Sequence, residues 1–146
     1  MATFKHALPG SVTASKRVIV SDALTSSSTT KFTMTQPAES IIDEIIVRAL
    51  DTFTITSGNC GVTVGTTDGG TEIHTGSATN LINGSTSFAA GGTQTFAPAA
   101  AYKYNVATSS VTTDERAIHF TVTTSTAVAA SGNGKMEFTV VYRIFD

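Results

Sequence analysis

Two stretches near the end of the chain place an apolar residue at every second position. Arg116 to Thr124 alternates Ile118, Phe120 and Val122 with Ala117, His119 and Thr121, and Lys135 to Phe145 carries Met136, Phe138, Val140, Tyr142 and Ile144 on one side. Successive Cβ atoms of a strand point to opposite faces, so this period of two specifies strands with one buried face, with His119 on the more polar one. Lys31 to Thr35 repeats the pattern with Phe32 and Met34, Gly61 to Gly65 with Val62 and Val64, and Val18 to Val20 is a short apolar run. Threonine and serine supply roughly three residues in ten, and threonine's β-branched Cβ suits a pleated sheet better than a helix.

The segment Gln36 to Ile55 is ambiguous. Ala38, Ile41, Ile42, Ile45, Ile46, Ala49 and Leu50 fall at helical spacing behind Pro37, whereas Ile45, Val47, Ala49, Phe53 and Ile55 keep a period of two. The β-branched run Ile45-Ile46-Val47 and the missing Gly or Asn stop before Thr52 favour a strand. Further on, Thr66 to Gly70 reads as an Asp-Gly turn after which Thr71 to His74 resumes a hairpin. Thr75 to Pro98 reads as a long surface excursion, Tyr102 to Val106 as a short strand, and Ala129 to Gly134 as the tip of a hairpin joining the last two strands. Short strands joined by turn clusters, with no crossover helix, predict an all-β fold, an antiparallel β-sandwich or jelly-roll-like domain. We expect one sandwich domain over residues 13–146 behind an extended N-terminal arm, residues 1–12, whose Phe4, Leu8 and Pro9 are too few to build a core element and are candidates for an assembly interface.

Charge excludes several functions. Formal net charge is −2 and charged residues make up 14%, so no basic surplus steers the chain to nucleic acid or an anionic membrane. The longest apolar runs are far shorter than the about 20 residues of a membrane-spanning helix. No apolar stretch of signal-peptide length follows Lys5 and His6, so the product is expected to stay where it is made. Cys60 is the one cysteine, which excludes an internal disulfide, and Asn59-Cys60-Gly61 reads as a turn thiol. So few charges on a lone protein invite self-association, and burial against neighbouring subunits removes that hazard.

Chemistry-bearing patterns are weak. Gly134-Lys135 is followed by Met136 in place of Ser or Thr, and sits in an expected hairpin instead of before a helix, so it reads as a turn. Asp68, Glu72 and His74 match no metal-loop spacing. His6, His74 and His119 have no serine or cysteine elbow nearby. Asp43 and Glu44 are expected on opposite faces of one strand, one solvent-facing and the other paired with Arg48, an arrangement unlike two carboxyls across a glycosidase cleft. Asn83-Gly84-Ser85 fits a glycosylation pattern that means little without a secretory signal. No catalytic residue, cofactor or metal is expected.

The order Phe32-Thr33-Met34-Thr35-Gln36-Pro37, then Ile41 to Phe53, then Val62 to Thr66 with Gly69-Gly70-Thr71, together with the strands Ala117 to Thr123 and Met136 to Tyr142, resembles small β-sandwich structural proteins of tailed bacteriophages, most of all capsid decoration (cement) proteins. The resemblance covers most of residues 30 to 145 and carries no shared catalytic motif. It implies a non-enzymatic virion protein made in the host cytoplasm and placed on the capsid surface. Its partners would be the major capsid protein or other virion subunits, and it would be a homo-oligomer, a trimer in preference. The alternative is a carbohydrate-binding or adhesive module of a tail or fibre, with Tyr102 and Tyr104 beside the Thr75 to Pro98 loop, although no tryptophan is present for sugar stacking.

Overall fold

The computed structural model describes residues 12–20, 29–55, 59–74, 82–83, 86–99, 114–124 and 135–144, and the structural statements below concern these. They form ten strands and no helix: β1 (Val12–Val20), β2 (Thr29–Gln36), β3 (Ser40–Ala49), β4 (Phe53–Ile55), β5 (Asn59–Gly65), β6 (Ile82–Asn83), β7 (Thr86–Phe88), β8 (Thr93–Phe96), β9 (Arg116–Thr124) and β10 (Met136–Ile144). The ambiguous segment is therefore strand, with Ile45, Val47 and Ala49 buried as the period of two requires. β1 starts at Val12, the last residue assigned above to the arm; Phe4, Leu8, Pro9, the 102–106 stretch and the 129–134 tip lie outside the described residues.

Two four-stranded sheets, in the orders β1-β10-β3-β8 and β2-β9-β5-β6, are accompanied by a two-stranded ribbon of β4 and β7. All pairs are antiparallel, and five of them nest: β1 with β10, β2 with β9, β3 with β8, β4 with β7, β5 with β6. The chain is thus one long hairpin folded over on itself, and the cross pairs β10·β3 and β9·β5 complete each sheet. This is the topology of a jelly roll, and the fold is an antiparallel β-sandwich.

Two expectations are corrected. β9 and β10 do not pair as a closing hairpin but lie in different sheets. Each carries an apolar face that needs a second layer, and packing face to face lets each supply it to the other: Phe120 of β9 meets Phe138 of β10 at 5.9 Å between ring centres. The Thr75 to Pro98 excursion contains β6, β7 and β8, strands of two to four residues, too short for a period of two to show and placed by the neighbours they pair with. The hairpin at Asp68-Gly69 is present, closed among the described residues by the antiparallel bridge between Val64 and His74.

The core lies between the sheets. Phe32 stacks on Phe120 at 4.8 Å and leans on Phe138 at 4.8 Å, joining the two layers. Ile42, Ile45, Val47, Val62, Val64, Ile73, Ile118, Val122, Met136 and Val140 fill the rest. Burying each such side chain contributes about 1.5–3 kcal/mol. Tyr142 of the first sheet donates its buried hydroxyl to the Thr35 carbonyl of the second at 3.3 Å, and burial pushes its pKa up. Where β2 crosses to β3, Arg116 donates to the Gln36 side chain at 2.8 Å, and Gln36 donates to the Ser40 carbonyl at 3.1 Å, satisfying a polar corner that the sandwich buries. Cys60 is no turn thiol: it is fully buried in β5 and belongs to this core, since the Asn and Gly beside it flank a strand position.

Candidate functional site

The outer face of the second sheet is rich in threonine among the described residues. Apolar residues of β2, β9 and β5 alternate inward, which leaves the intervening positions outward in register. Pairing places Thr29 beside Thr123, Lys31 beside Thr121, Thr33 beside His119 and Thr35 beside Ala117, and on the far side Thr63 beside Thr121. Six threonines therefore pave this face, with Lys31 and His119 as its titratable groups. Lys31 is drawn to the rim by Asp68, 3.1 Å away. Over Gly65 the face is covered by the turn that follows β5, with Gly70 and Glu72 packed where a side chain would stand. Thr121 sits in the middle with its hydroxyl oxygen buried and without a hydrogen-bond partner.

The first sheet presents a different feature. Val141 pairs with Glu44 and Tyr142 with Ile42, so Asp43 is an extra residue, a β-bulge. The bulge sends Asp43 and Glu44 to the same, outer, side, correcting the expectation of opposite faces; Ile42 and Ile45 on either side of them remain in the core. Asp43 pairs with Arg143 of β10, and not with the exposed Arg48: the guanidinium Nε and Nη2 donate to one carboxylate oxygen at 3.2 and 3.1 Å. These residues, with Glu44, Thr95, Phe96 and Ala97, line an open groove of about 460 Å³. An open, ion-paired groove suits contact with a charged chain segment better than enclosure of a small molecule.

The remaining titratable groups serve local structure. Asp68, Glu72 and His74 turn to separate partners instead of converging. Glu72 folds over the turn, where its own backbone N–H and that of Thr66, at 3.1 Å, hold its carboxyl below the usual range. Gly70 donates to the Thr67 carbonyl at 2.9 Å, and Gly69 takes the positive φ of 74° that the turn needs. His74 is half-buried with its ring 4.8 Å from Phe96, and burial pushes its imidazole down against the opposing hydrogen bond that it donates to the Ala97 backbone. Burial pushes the Cys60 thiol up to about 12, which removes thiolate chemistry at neutral pH. The interface candidates Phe4, Leu8 and Pro9, with His6, lie outside the described residues. Both outer surfaces escaped sequence reasoning, although the odd-numbered threonines of Thr29 to Thr35 were a visible signal for the first.

No family model matches the chain, and no curated protein matches it. Among solved structures, a chain of the cyanophage Pam1 capsid asymmetric unit is similar over 99% of this chain and 92% of that one, at 16% identity and a TM-score of 0.47.

Proposed function

We propose that this chain is a non-enzymatic structural protein of a tailed-phage virion, a capsid decoration protein that seats on the capsid surface and stabilises the particle. The observation that carries the reading is the threonine face of the second sheet. The exposed threonines of this face offer methyls and hydroxyls that another subunit can cover with little desolvation of charge, which is the chemistry of an interface core. The resemblance of the sequence to phage β-sandwich proteins supplies the kind of partner. Jelly rolls host many functions, so the fold adds compatibility alone.

The test is particle binding. The purified protein should bind virion particles stripped of it saturably and raise the temperature at which they open. Thr33→Arg with Thr123→Arg, two exposed positions on the face, should abolish binding and leave the protein's own melting temperature nearly unchanged. Absence of the protein from purified virions, or undiminished binding by the double variant, would overturn the proposal.

A further inference from the structure

We propose that the groove over the Asp43 bulge receives the N-terminal segment, residues 2–11, of a second copy of this chain, with Lys5 set against Glu44. The inference rests on the reading of the chain as an assembly protein and goes beyond it by naming one contact.

Charge complementarity is the first support. Asp43 is engaged by Arg143, and Glu44 lines the same groove as its second carboxylate. The segment to be seated carries Lys5 and His6, and no acidic residue occurs before Asp22. Position is the second. β1 pairs Val12 with Ile144 and Val20 with Met136, so the chain preceding Val12 leaves the first sheet at the Ile144 end. Arg143 places the groove at that same end, on the neighbouring strands β10 and β3. Direction separates the copies. From Val12 a chain reaches its own groove only by reversing and crossing β10. Ten residues in extended form span about 33 Å, enough to meet a copy packed against this end. Such an arm-to-groove contact joins copies reciprocally in a twofold pair, or head to tail in a ring where the rotation closes.

Charge reversal in separate copies tests the contact. Lys5→Glu and Glu44→Lys should each weaken self-association in sedimentation velocity about tenfold, as a charged attraction becomes a repulsion. An equimolar mixture of the two variants should restore it wherever unlike copies meet, fully in a pair and in part in an odd-membered ring, because there each meets a complementary partner. A contact within one chain would give no restoration on mixing, and that result, or single variants that associate like the wild type, would overturn the proposal. Melting temperatures of both variants, with Glu44→Gln as a milder change, separate misfolding from lost contact. Particle binding measured on the same proteins keeps the two proposals apart: restored association without particle binding removes the virion reading alone, and particle binding without restoration removes the groove contact alone.

Discussion

At the residue scale, burial decides what individual groups do. A turn thiol would tolerate serine, but Cys60 is a core residue: Cys60→Ser places a hydroxyl among Val62, Ile82's strand and β9, and should lower stability by about 1–3 kcal/mol in chemical denaturation. The native thiol should resist alkylation at pH 8 until the protein unfolds, given a pKa pushed to about 12. Thr121 has the opposite sign. Its buried hydroxyl lacks a partner, so Thr121→Val keeps the shape, removes the unsatisfied oxygen and should raise stability by about 1 kcal/mol, read as a higher melting temperature. His74 predicts a pH dependence. Burial lowers its folded pKa, so below about pH 6.5 the unfolded chain takes up a proton that the folded chain resists, and stability falls as pH drops through that window. His74→Phe, which keeps a ring against Phe96, should flatten the stability profile between about pH 7 and pH 5. None of this was legible in the sequence, where Cys60 and His74 each stand among turn-forming neighbours.

Elements were legible wherever alternation ran long. The span of β9 coincides with the run read from its residues, and β10 falls within its own, because seven or more positions of strict period two admit no other regular structure. The alternation fails at Asp43, where a bulge inserts one residue and sends both carboxylates outward. Nothing in Ile41-Ile42-Asp43-Glu44-Ile45 announces which residue is extra, since that choice belongs to the register with β10. The turn after β5 is the other tight place. A Cβ on Gly65 would lie 2.4 Å from the Gly70 carbonyl carbon and 2.5 Å from its Cα, backbone atoms that cannot swing aside. Gly65→Ala should therefore cost about 1–3 kcal/mol and disturb the Thr67 to Gly70 turn, visible as amide shifts confined to residues 64–74. Gly69→Ala adds no contact and is opposed by its positive φ alone.

For the whole molecule, the nested hairpin places the first strand against the last and makes β10 the central support of β1 and β3. Ending the chain at residue 134 removes Met136, Phe138, Val140 and Tyr142 from the core at once, and should abolish cooperative unfolding while leaving β-rich collapse, measured as loss of a sharp calorimetric transition. The sequence alone determined the strand class, the inward residues of β2, β5, β9 and β10 and the lack of a basic surplus, since these follow from local periodicity and composition. Tertiary structure alone decided that β9 and β10 face each other instead of pairing, that β6 to β8 are strands, that Asp43 joins Arg143, and that six threonines share one face. Those outcomes depend on which distant segment lies alongside, and period-two patterns say which side of a strand is buried without saying which strand is its neighbour.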